Sequence, residues 1–198
     1  MSVIVGAVIG PNIYLAADRQ VDGFYESVCK IILGNNFAIG VAGWLTFQQQ
    51  IAKAFRNWGE IWTEEEIEEV ANAIHDAIFT HGAVAGGEPG TPPTVQCSVI
   101  LATTFGLYTI AGSGLIVRHD QYATVGSGED AAFGVLFGAA PDITVRTINL
   151  AILAASVAQH QTCGKGIDIV EVSPQSCVFI DNAESMDIAL FSPKIHLV

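Results

Sequence analysis

Val3 to Val8 and Ile13 to Ala17 are short apolar, β-branched runs on either side of Gly10-Pro11-Asn12, a pattern that predicts a hairpin beginning at the second residue. A second pair, Lys30 to Leu33 and Phe37 to Ala42, flanks the turn sequence Gly34-Asn35-Asn36, so strands precede any helix. The period then changes. Phe47, Ile51, Ala54, Phe55 and Trp58 recur at helical spacing from Thr46 to about Trp58. Thr63 and Glu66 have the spacing of a capping box, and Ile67, Val70, Ala71, Ile74, Ile78 and His81 follow on one face of a second helix. The acidic run Glu64 to Glu69 falls in its first turns, where negative charge suits the helix dipole.

Gly82 to Pro93 is rich in glycine and proline and reads as a loop crossing to a new layer. Strands are expected again at Val95 to Thr103, Leu107 to Ala111 and Leu115 to Val117. A helix begins near Glu129, another covers Asp142 to Gln159, and two last strands cover Ile167 to Val172 and Cys177 to Ile180. Sets of strands separated by pairs of helices predict a layered α+β domain, sheets inside and helices outside, in one unit spanning residues 1–198. The helix from Asp142 is apolar on more than one face, through Val145, Ile148, Leu150, Ile152, Leu153 and Val157, which predicts a neighbouring subunit.

Composition narrows the partners. Half the residues, 51%, are hydrophobic and only 14% are charged, which again favours an oligomer. The formal charge of −12 with only eight Lys and Arg leaves no basic face for nucleic acid or an anionic membrane. Met1 to Ile9 has no basic leader and is broken by Gly10-Pro11, so neither a signal peptide nor an anchor is expected. Cys29, Cys97, Cys163 and Cys177 form no C-x-x-C pair, which suits a reducing cytoplasm and predicts no metal; no cofactor is expected.

Taken singly, the polar residues of interest are ambiguous. Asp18 at a strand end is commonly a turn former, and Lys30 opens an apolar strand in a lysine-poor chain, where its ammonium would perturb nearby titrating groups. Gly43 ends a strand with a backbone N–H able to approach a substrate carbonyl, and Ser127 lies in a Gly-Ser-Gly turn. Their order and spacing are more specific. Ser2-Val-Ile-Val-Gly, Leu15-Ala-Ala-Asp18-Arg19, Lys30-Ile, Val41-Ala-Gly43 and Val125-Gly-Ser127-Gly together resemble the proteasome β-subunit family and its bacterial relatives that work with separate unfoldases.

That resemblance implies a four-layer αββα sandwich of the N-terminal-nucleophile hydrolase type and a ring of identical subunits, stacked or open, acting on peptides or unfolded proteins. It implies that Ser2, once Met1 is removed, attacks through its hydroxyl with its own α-amine as base. Asp18 would orient Lys30, Lys30 would stabilise the developing oxygen anion, Gly43 would donate to it, and Ser127 would neighbour the terminal amine. Gln20, Val21, Ile31, Val41 and Leu45 would border the first substrate pocket. The chain departs from the family in three places. Serine replaces the usual threonine, whose β-methyl restricts the hydroxyl. The loop from Asp18 to Lys30 is shorter than usual. Where the family commonly carries Asp-x-x-Ser-Gly, this chain has His160-Gln-Thr-Cys163-Gly164, so His160 becomes a candidate relay or a helix cap and Cys163 a hydrogen-bonding neighbour. Two other functions stay open: a noncatalytic subunit of the same fold, and a small-molecule amidase on a related scaffold.

Overall fold

The computed structural model describes residues 2–20, 28–43, 45–56, 58, 60–79, 97–112, 114–159, 163–164 and 166–180. The first hairpin forms as its sequence predicts. Strand β1 (Val3–Ile9) pairs antiparallel with β2 (Asn12–Asp18), from Ile4 opposite Ala17 to Ile9 opposite Asn12. The second joins β3 (Ile31–Leu33) to β4 (Phe37–Ala42), its turn closed by the Gly34 N–H donating to Phe37 O at 2.8 Å. Helices α1 (Leu45–Ala54) and α2 (Glu66–Phe79) come next. Strands β5 (Ser98–Thr103), β6 (Gly106–Ala111), β7 (Ile116–His119) and β8 (Tyr122–Gly126) follow, then α3 (Glu129–Ala139), α4 (Val145–Ala158), β9 (Ile167–Val172) and β10 (Cys177–Phe179).

The strands make two five-stranded antiparallel sheets, in the orders β10-β9-β2-β1-β8 and β3-β4-β5-β6-β7. Three buried apolar clusters accompany them. One gathers Phe37, Ile39 and Leu101 with Ile51, Ile67, Val70 and Ile74 of the first helix pair. A second joins residues of both sheets, among them Ile4, Leu15, Ala38, Ile100, Leu107, Val125 and Val170. The third packs Val3, Val5 and Ile169 against Leu136, Ile148 and Ile152 of α3 and α4. Because β1 alternates between the second and third clusters, both its faces are apolar and its first five residues are buried. Val3, Ile4 and Val5 each contribute about 1.5–3 kcal/mol on burial, which fixes the strand that leads directly from Ser2.

Two local expectations change. Strand β8 is added before the third helix, where no strand was expected: Ala123 and Val125 are buried while their neighbours are half-buried, an alternation that ends at Gly126. At α2, Glu66 does reach back, but its Oε2 accepts from the Trp62 N–H at 2.8 Å. A reciprocal capping box forms instead at α4, between Thr144 and Thr147. His81, the Gly82–Pro93 loop and Val95 lie outside the described residues. Among the described residues no helix is long and apolar enough to cross a membrane.

Candidate active site

Asp18 is the centre of a buried polar network. It ends β2, has no exposure, and accepts hydrogen bonds on both carboxylate oxygens. Oδ1 accepts from the Val3 N–H at 2.8 Å and from Lys30 Nζ at 2.9 Å. Oδ2 accepts from the Gln20 N–H at 3.1 Å and the Gly164 N–H at 3.0 Å. Lys30 is itself 4% exposed, so neither charge has water as an alternative partner. A turn-forming aspartate or a surface lysine would look different: the two form a buried, hydrogen-bonded ion pair directly beside the backbone that follows Ser2.

Ser2 is buried at 3% exposure and is held from the opposite side by β8. Val3 pairs with Gly126, and the Ser127 hydroxyl donates to Ser2 O at 3.4 Å. Gly126 has φ +105, and a Cβ there would come within 2.0 Å of Ser2 O, so only glycine lets β8 end against the serine. The same Cβ would lie 3.2 Å from Ala42, which places the end of β4, and Gly43 after it, at this corner. Gly43 has φ +152, a backbone conformation open to glycine, and follows the strand whose Val41 N–H donates to Lys30 O at 3.1 Å.

Cys163 is buried, with Sγ 3.7 Å from Ser127 Oγ, and the next residue supplies the Gly164 N–H to Asp18. Of the presumed pocket residues, Ile31 belongs to the cluster between the sheets, whereas Val41 belongs to the cluster with α1 and α2. Leu45 begins α1 half-buried, and Gln20 is half-buried with its Oε1 near Gly164. Val21 and His160 lie outside the described residues.

Further contacts surround Lys30 that the motifs gave no reason to single out. Gln48 on α1 donates from Nε2 to Cys29 O. Arg19 Nε pairs with Asp168 Oδ2 at 3.4 Å, and the Arg19 N–H donates to Gly164 O and Gly166 O. Burial, with a smaller contribution from Asp168, pushes the Cys29 thiol up to about 11 despite an opposing hydrogen bond to Ile31, so it stays protonated near neutral pH. Asp168 and Gln48 carry no sequence signal beyond being polar residues on a strand and a helix.

At the level of sequence, no protein-family model and no curated protein matches the chain. Solved structures do. BPH of Thiobacillus denitrificans in complex with epoxomicin superposes with a TM-score of 0.70 at 22% identity, over 87% of this chain and 100% of that one. Another structure of BPH from the same organism gives 0.69 at 21% identity, over 87% of this chain and 99% of that one. Eukaryotic HslV from Trypanosoma brucei gives 0.63 at 16%, over 86% and 99% respectively. The chain shares the fold of these proteins, in agreement with the proteasome-type resemblance of its motifs.

Proposed function

We propose that the chain is a proteasome-type peptidase subunit in a four-layer αββα sandwich, with Ser2 as nucleophile once Met1 is removed. The observation that carries this reading is the Asp18 carboxylate, which holds Lys30 Nζ and the Val3 N–H on one oxygen. It ties a buried cation to the backbone of the residue next to Ser2. The three apolar clusters support the four layers, and exposed Phe133, Phe137, Leu150 and Val157 on α3 and α4 support assembly of identical subunits into rings.

The chemistry then follows from the groups present. Before processing, the Ser2 nitrogen is an amide and cannot act as a base. A free α-amine, with an ordinary pKa of ~7.7–8, takes the hydroxyl proton as Oγ attacks the substrate carbonyl. The Gly43 N–H donates to the oxyanion, while the Lys30 ammonium favours the ionised oxygen and the neutral amine. The protonated amine passes its proton to the leaving amine, giving an ester on Ser2. Water, deprotonated by the same amine, attacks the ester; as the tetrahedral adduct collapses the C–Oγ bond breaks, the acid product leaves, and the ammonium returns its proton to Oγ. Asp18 holds Lys30 Nζ in place, and Ser127 fixes the Ser2 carbonyl.

Intact-mass measurement tests the reading. Purified protein is expected to lack Met1 and to gain the mass of one peptide epoxyketone, and Ser2→Ala is expected to abolish that adduct. Robust peptide hydrolysis with Met1 fully retained would sink the mechanism; retention with no hydrolysis would favour a noncatalytic subunit. Cleavage of small free amides by a monomer would favour the amidase.

A further inference from the structure

The segment that carries Lys30 is tied down at each of three consecutive residues by a different partner. The Val28 N–H donates to Arg19 O at 2.9 Å, and Lys30 O accepts from the Val41 N–H at 3.1 Å. Between them, Cys29 O accepts from the side-chain amide of Gln48. The outer two are main-chain bonds that almost any sequence could make. The middle one depends on a single side chain, half-buried in the first turns of α1, in the stretch that begins just beyond Gly43.

We propose that Gln48 is a positioning residue: its amide sets the Cys29–Lys30 peptide relative to α1, and so sets where the Lys30 ammonium meets Asp18. The inference rests on the Ser2 mechanism proposed above. A lysine has a long flexible stem, so its ammonium is placed only if both tip and root are fixed. Asp18 fixes the tip at 2.9 Å. The β3–β4 ladder fixes the root on its C-terminal side only, since β3 begins at Ile31. On the N-terminal side Gln48 supplies the hold nearest to Lys30, one residue closer than the Val28–Arg19 bond. The same hydrogen bond links the Lys30 backbone to the helix that begins two residues after Gly43, the candidate oxyanion donor. Two groups that act on one developing charge are thereby kept in register.

Gln48→Met removes the donor while preserving side-chain length, and water can replace it at the half-buried Cys29 carbonyl, so the fold is expected to persist. Misplacing a catalytic group by a small distance is costly, and adduct formation with a peptide epoxyketone is expected to slow by about 10- to 100-fold. The 13Cε resonance of Lys30, followed by NMR, is expected to shift as well. In a Lys30→Arg background the further effect of Gln48→Met on adduct rate is expected to shrink to less than about threefold, because the residue acts through Lys30.

Ser2→Ala is measured alongside. If it abolishes the adduct while Gln48→Met reacts within about threefold of wild type, the proposal is overturned and the mechanism stands. An equal loss in the wild-type and Lys30→Arg backgrounds would mark Gln48 as merely structural and overturn it too. If the wild type forms no adduct, or Ser2→Ala keeps it, the mechanism fails; an unchanged Lys30 resonance in Gln48→Met would then overturn the positioning role by itself, and a shift would support it.

Discussion

Replacing Asp18 by asparagine preserves shape and removes charge, and the surroundings make that a severe change. All four groups on the carboxylate are donors: the Val3 N–H and Lys30 Nζ on Oδ1, the Gln20 and Gly164 N–H groups on Oδ2. Asparagine has one acceptor oxygen and one NH2, so either orientation sets the NH2 against two donors. Turned to keep its oxygen on Lys30, it strands the Gln20 and Gly164 N–H groups, at about 1–3 kcal/mol for the buried Gly164 donor and less for the half-buried Gln20 one. Turned the other way it faces the ammonium with another donor. In both cases Lys30, its side chain 6% exposed, loses its counter-charge. Breaking a buried pair from one side costs about 3–5 kcal/mol, and Asp18→Asn is expected to lie in or above that range.

Lys30→Met is the matched control. It leaves the Asp18 carboxylate with three backbone N–H donors and fills most of the lysine volume, so a loss of only about 1–2 kcal/mol is expected. Methionine is more informative than alanine here, because at 4% exposure a shorter side chain would leave a cavity. Equilibrium urea unfolding, compared at constant m-value, separates the two variants. The reasoning fails if Asp18→Asn costs no more than Lys30→Met, or less than about 1 kcal/mol.

Two other perturbations have readable outcomes. Gly126→Ala would force a Cβ to within 2.0 Å of Ser2 O at φ +105, so it is expected to lower stability by about 2–4 kcal/mol and to abolish any Ser2 adduct; wild-type melting with full labelling would contradict the β1–β8 geometry. Burial pushes the thiols of Cys29 and Cys177 from 9.0 up to about 11 and that of Cys97 to about 12. Unfolded thiols therefore ionise first, so their contribution to stability is intact below pH 9 and is lost as pH rises through about 11 and then about 12. Urea midpoints that stay flat from pH 8 into this window would contradict it, since Tyr108, also pushed up to about 12 by burial, adds in the same direction.

What the sequence discloses is whatever a local pattern can carry. The two hairpins and α2 are legible because each has a turn signal or one-sided periodicity: Gly10-Pro11-Asn12, Gly34-Asn35-Asn36, and the face from Ile67 to Ile78. Strand β8 escapes because its last residue is the Gly126 of a motif that reads locally as a turn, whereas its strand character comes from pairing with β1 across more than a hundred residues. The network around Asp18 divides in the same way. Asp18 and Lys30 are marked by charge among apolar neighbours, but three of Asp18's four donors are the backbone N–H groups of Val3, Gln20 and Gly164, and backbone donors have no side-chain signature.

This has a consequence for the segment where the chain departs most from the family pattern. With His160 where an acid is usual, the sequence suggests a dismantled site. Yet the described part of that segment reaches the site through groups that do not need the acid. The Gly164 N–H donates to Asp18, Gly164 O accepts from the Arg19 N–H, and Cys163 Sγ stands at hydrogen-bonding distance from Ser127 Oγ. A backbone N–H and a backbone carbonyl are indifferent to the identity of residue 160. A thiol is a weaker hydrogen-bonding partner than a hydroxyl, so it leaves the Ser127 hydroxyl freer to serve Ser2 O. The cysteine at 163 thus bears on the hydrogen bonding of Ser127, while the pairing of Asp18 with Lys30 stands on a contact of its own.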